Sequence, residues 1–296
     1  MVHRGKSLQQ LSYALLYLSP SLLIFIVFIF FPMAKTFYLS LYLTNPHGDP
    51  VVWKGIQSYV VLLSSEMFRK SLWSSLLFVF FTVPGTILVA LALALLANVR
   101  LRGIAVFRML YSSTIGVSVA SAATIWMFLY APGNNGMFNY LLGLIGLPKV
   151  GWLVTTQTAL PALSLMSIWM GLGFNFIILL GGLQSLPEDI FESARIDGAG
   201  WWRQLRHITV PLLSPTLFFV LVVDTINAFQ AFGQFNILTQ GGPDNASNVI
   251  VYSIYREAFF NSRFGPASAQ AVILFLIILT LTLIQFGVVE RKVHYQ

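Results

Sequence analysis

Long uncharged, apolar runs alternate along the chain with short segments that hold nearly every charge. A bilayer core of about 30 Å is crossed by roughly 20 helical residues at about 1.5 Å each. Six stretches meet that requirement and predict helical spans at about 11–32, 71–97, 105–130, 158–184, 208–231 and 267–289. Leu11–Phe31 carries no charge and is expected to be closed by Pro32. Between Arg108 and Lys149 forty uncharged residues are too many for one span, and Pro132-Gly133-Asn134-Asn135-Gly136 breaks them with turn formers. The third span is therefore placed before that cluster, and the short run Met137–Leu147 is expected to lie on the membrane surface. Six spans put both termini on the same side.

Composition agrees. Of 296 residues 57% are hydrophobic and 9% charged, with a mean hydropathy of +0.78, against about 25% charged in a soluble domain. A soluble enzyme and a disordered chain are excluded, and the absence of cysteine excludes a disulfide scaffold. The net charge of +7 is explained by where it sits. Segments 1–10, 98–108, 188–207 and 290–296 hold ten Lys/Arg in 48 residues: Arg4, Lys6, Arg100, Arg102, Arg108, Arg195, Arg203, Arg206, Arg291 and Lys292. The alternate segments 32–70, 131–157 and 233–267 hold seven in 101. That bias puts both termini in the cytoplasm and leaves no case for a nucleic-acid partner. Arg4 and Lys6 precede an apolar run too long for a signal peptide and without a small-x-small cleavage site, so it is expected to stay as an anchor. The expected organisation is a cytoplasmic N-terminus at 1–10 and one membrane domain over 11–296, without repeats or a soluble appendage.

The inner loop 185–207 is rich in local signals. Ser185 and Glu188 have capping-box spacing, Pro187 suits a first helical turn, and Glu188, Asp189 and Glu192 suit the positive end of a helix dipole. A short helix over about 186–196 is predicted, with Ile190, Phe191 and Ala194 on an apolar face. Gly198 should then take a sharp turn that needs φ > 0. A second short helix over Trp201–His207 should lead into span five, whose first turns hold Pro211 and Pro215. By these features alone the loop could be a plain connector.

Its spacing goes further. Glu192-Ser193-Ala194, three residues, Gly198, nine residues, then Ile208-Thr209-Val210-Pro211 resembles the cytoplasmic signature of permeases of binding-protein-dependent ABC importers. Ser193 and Val210 stand where that pattern has Ala and Leu. The likeness covers essentially the whole chain and is to the carbohydrate and glycerol-3-phosphate uptake branch. Gln240-Gly241-Gly242-Pro243, Val251–Phe259, Ala267–Ala271 and the tail Val289–Gln296 also carry it. The resemblance implies an all-α integral membrane protein with a six-span type I ABC importer permease fold and a cytoplasmic coupling helix between spans four and five. It implies that Glu192, Ser193, Ala194, Asp197, Gly198, Ile208 and Pro211 couple the spans to a cytoplasmic ATPase. The implied partners are a second homologous permease, two ATPase subunits and an extracytoplasmic solute-binding protein, in the bacterial inner membrane. This chain would bind no cofactor, ATP and Mg being held by the ATPase.

Charged residues inside spans are costly and point to function. Asp224 is the only acid in an apolar stretch, 13 residues past Pro211 and so about 20 Å up the helix. Asn227, Gln230 and Gln234 follow at helical steps and form a polar stripe with it. The stripe is expected either to be a hydrogen-bonded seam between helices or to bind a hydroxyl-rich solute, with Trp169, Phe229 and Phe232 stacking on sugar faces and Asn175 as a further contact. No Lys or Arg lies in a span to meet a phosphate, which favours a neutral saccharide. Glycerol 3-phosphate or a glycerophosphodiester remains the alternative. Catalytic chemistry is absent: His3, His47, His207 and His294 show no metal spacing, and Gly5-Lys6-Ser7 lacks the rest of a phosphate loop. A self-sufficient secondary transporter is disfavoured, because the two halves show no paired Gly/Pro-broken segments.

Overall fold

A computed structural model describes residues 2–99 and 101–290. Arg100 and the tail from Arg291 on, with Lys292, lie outside the described residues. Among the described residues five helices are long and apolar enough to cross a membrane: Tyr13–Leu39, Glu66–Ala97, Ala159–Gln184, Ser214–Leu238 and Phe264–Val288. A sixth crossing is available if the bent pair Ile104–Gly116 and Val119–Leu129 counts as one span. The described residues form two compact units. One comprises the described residues up to Leu63 with Ile254–Ile273, the other the described residues of Ser64–Ser253 with those from Leu274 to Glu290.

In the first unit α1 (Tyr13–Leu39) runs past Pro32 and is not closed by it. A π turn over Ile26–Phe30 precedes Pro32, which falls in the first positions of the helical stretch that follows, where its missing N–H does little harm. A hairpin of β1 (Tyr42–Thr44) and β2 (Pro50–Trp53) follows, then the short helix α2 (Gln57–Ser64). The Gly265 N–H donates to Thr44 Oγ1 at 3.1 Å.

The second unit is built on α3 (Glu66–Ala97) and α7 (Ala159–Gln184). Ala90, Ala94 and Ala97 recur at steps of four and three on α3 and are buried against Phe176, Leu179 and Leu183 of α7. Small side chains at that spacing let two helices approach closely without a hydrophobic drive between them. Leu213 and Val220 complete this core, Val220 from α10 (Ser214–Phe229). The Arg108 guanidinium closes the end of α3, donating to Ala97 O at 2.9 and 3.2 Å.

The expected straight third span is two helices, α4 (Ile104–Ser112) and α5 (Val119–Leu129). A 3-10 turn over Ser113–Gly116 follows α4, and the axes differ by 106°. Hydroxyl side chains explain the break, because they offer the backbone partners other than the helix. Ser118 caps α5 by accepting from Ser121 N at 3.2 Å. Thr114 Oγ1 accepts the Gly173 N–H at 2.8 Å, which docks the break on α7. Only glycine fits at 173: a Cβ there would lie 2.6 Å from Thr114 Oγ1 and 2.7 Å from Ile115 N. The turn cluster at 132–136 is followed by α6 (Met137–Leu144).

Candidate functional site

The inner loop forms α8 (Glu188–Ile196). The expected capping box does not form. Ser185 is the C-cap of α7, still in a right-handed conformation, so its hydroxyl donates back to Gly182 O at 2.8 Å, and Pro187 occupies the cap of α8 without a side-chain bond. Glu188 and Asp189 sit in the first turn and Arg195 in the last, the signs the dipole favours. The helix end is a Schellman motif. The Ala199 N–H donates to Ala194 O at 2.8 Å and the Gly198 N–H to Arg195 O at 3.1 Å, with Gly198 at φ +74°. The left-handed glycine expected from the sequence is there.

Around this turn Ala194 is buried and Phe191 half-buried, but Ile190 is 38% exposed, so the apolar face is narrower than expected. Glu192, Ser193, Asp197 and Gly198 are exposed, while Ile208 and Pro211 are half-buried. The second short helix is α9 (Trp201–Gln204), continued by a π turn over Leu205–Thr209. Gln204 Nε2 donates to Ala199 O at 2.6 Å and holds this piece to the turn after α8.

The polar stripe leads to a cavity of about 470 Å³. The helix that carries it stops at Phe229, and the chain resumes as α11 (Gly233–Leu238). Asp224, Asn227, Gln230 and Gln234 nevertheless all line one space. Asn175 joins them from α7 more intimately than the sequence suggests. It is fully buried, and its Nδ2 donates to Asp224 Oδ1 at 3.0 Å and to Gly171 O at 3.1 Å. Gln234 Nε2 donates to Ser167 Oγ at 3.1 Å. Two buried acceptors, Asp224 Oδ2 and Asn175 Oδ1, have no hydrogen-bond partner among the described residues. Among the described residues Asp224 is the only charged one in the lining.

Two of the expected aromatic contacts lie elsewhere. Trp169 packs against Trp126, ring centroids 5.9 Å apart, and Phe229 is buried in the core. Neither lines the cavity, whereas Phe232 does. Sequence reasoning passed over Thr82, Thr86, Ser167 and Phe174, which complete the wall. A signal existed for the first two: threonines four apart, flanking Pro84-Gly85 in an otherwise apolar span. Among the described residues no group of three His, Asp or Glu could hold a metal ion.

A family model described as "Binding-protein-dependent transport system inner membrane component" matches residues 2–295. The sn-glycerol-3-phosphate transport system permease protein UgpA of Pectobacterium atrosepticum is 34% identical over 280 residues, 94% of each chain. Its namesake in Rhizobium meliloti is 35% identical over 283 residues, 95% of each. Among solved structures, a bacterial alginate ABC transporter in complex with an alginate pentasaccharide-bound periplasmic protein superposes with a TM-score of 0.79 at 22% identity, covering 99% of both chains. That likeness is one of fold.

Proposed function

The chain belongs to the family of inner membrane components of binding-protein-dependent transport systems, and on that premise we propose that it forms half of the path of an ATP-driven importer for a neutral, hydroxyl-rich solute. The observation that carries the solute class is the pair of unsatisfied acceptors, Asp224 Oδ2 and Asn175 Oδ1, in a cavity lined by one carboxylate and no cation. Buried acceptors left unpaired are costly, and the hydroxyls of a saccharide supply the missing donors. Glycerol 3-phosphate also carries hydroxyls, but its phosphate is repelled by Asp224, and no cation in the lining offsets that. The amides of Asn227 and Gln230 add donors, and Phe232 adds an apolar face.

In this reading both termini face the cytoplasm and α8 is the coupling helix. Its exposed residues Glu192, Ser193 and Asp197 meet a separate ATPase, which binds ATP and Mg. The Gly198 turn, Ile208 and Pro211 carry ATPase closure into α10. A second permease, two ATPase subunits and an extracytoplasmic binding protein complete the machine. The full set, reconstituted in liposomes, tests it. Asp224→Asn should weaken saccharide affinity about 10–100-fold, the worth of a hydrogen bond to a charged group. Unchanged affinity and unchanged solute-stimulated ATPase would make the pair a structural seam. The names of the curated relatives favour a second reading, import of glycerol 3-phosphate, and uptake of that anion without any neutral saccharide would establish it.

A further inference from the structure

Outside that cavity a second groove, of about 780 Å³, lies where α3 and α7 begin. On α3 its lining starts with Glu66, Arg69 and Lys70 and continues as Trp73, Leu77 and Phe81, successive turns of one face. From Arg69 to Phe81 the groove runs about 18 Å. Leu160 and Pro161 of α7 form the facing apolar wall, and Asp244 adds a carboxylate. Charge and apolar surface are thus segregated along its length. At the charged end Lys70 Nζ lies 3.0 Å from Glu66 Oε1, and the Arg69 side chain is exposed outside that pair. Along the apolar stretch Trp73 is 62% and Phe81 44% exposed.

We propose that this groove holds one zwitterionic phospholipid whose headgroup ends in a primary ammonium. Arg69 and Lys70 take the phosphate, Glu66 and Asp244 take the ammonium, and an acyl chain lies along Trp73, Leu77 and Phe81. Two cations beside two carboxylates match a headgroup of both signs. A purely anionic lipid would satisfy the cations and face the carboxylates with its own charge. A quaternary ammonium has no N–H to give them. A protein wall over the groove would have to desolvate four charges, whereas a lipid leaves them at headgroup level, where tryptophan is also favoured.

The full chain, delipidated in detergent and titrated separately with phosphatidylethanolamine, phosphatidylcholine and phosphatidylglycerol, tests this by native mass spectrometry. One phosphatidylethanolamine should be retained above the other two lipids. Arg69→Ala with Lys70→Ala should cut that retention by about fivefold per cation removed. Glu66→Gln with Asp244→Asn should turn the preference towards phosphatidylglycerol. Equal retention of the three lipids, or retention indifferent to the Arg69/Lys70 change, overturns the proposal. So does protection of Trp73 from quenching by brominated phospholipid in the assembled transporter, which would place protein in the groove.

Discussion

The inner loop and the cavity are both polar constructions in an apolar chain, but they draw their parts from very different distances. The bonds that close the turn after α8 lie between Ala194 and Gln204. The backbone ones run from residues 198 and 199 to residues 195 and 194. The cavity takes Thr82 and Thr86 from one helix, Ser167 and Asn175 from a second, and Asp224 through Gln234 from a third and its continuation. Its central bond joins residues 49 apart in sequence. The loop is therefore a device of local conformation that single substitutions disable without touching the bundle. The cavity depends on how the bundle is packed.

Three substitutions test that contrast, in order of expected effect. Gly198→Val forces a β-branched residue to φ +74°, a region that costs such residues heavily. Beyond its two chain neighbours, no atom of the described residues lies within 4 Å of the position of its Cβ, so the damage is to the turn and not to packing. ATP-dependent uptake should fall to background while the protein still inserts. Normal uptake in vesicles with normal protein content would separate this turn from energy transfer. Asn175→Leu leaves Asp224 Oδ1 without its donor in a buried site, at a cost of roughly 3 kcal/mol. A lower thermal midpoint together with weaker solute binding is expected, and an unchanged midpoint would mean that the pair contributes nothing to the bundle. Gly173→Ala should cost about 1–3 kcal/mol by overpacking where the broken helix docks on α7. It should lower the midpoint yet leave solute affinity within about twofold, less than a single lost hydrogen bond. A larger loss of affinity would mean that the cavity senses the break directly.

The same contrast accounts for what could be read in advance. Five spans and the Gly198 turn follow from composition and from one residue's conformational freedom, so they are visible in the chain itself. The stripe from Asp224 to Gln234 was visible because it lies on consecutive turns, although the helix ends within it at Phe229. Asn175 was under-weighted because its meaning lies in a partner on another helix. Trp169 was over-weighted for the converse reason: its neighbours are Trp126 and the aromatic cluster around it, which no local pattern announces. The break at 113–118 was missed because its residues are uncharged. Its signal was hydroxyl content, Ser112-Ser113-Thr114 and Ser118, in a run otherwise apolar enough to pass for one helix.

One carboxylate and no cation in the cavity wall also has an electrical meaning. Moving a single elementary charge through a membrane potential changes its energy by about 2.3 kcal/mol per 100 mV. For an uncharged solute such a passage is electrically silent, and the work done in filling it is the same at any voltage. For an anion entering a negative interior, the field and Asp224 oppose the movement together, and the wall holds no counter-charge to offset either.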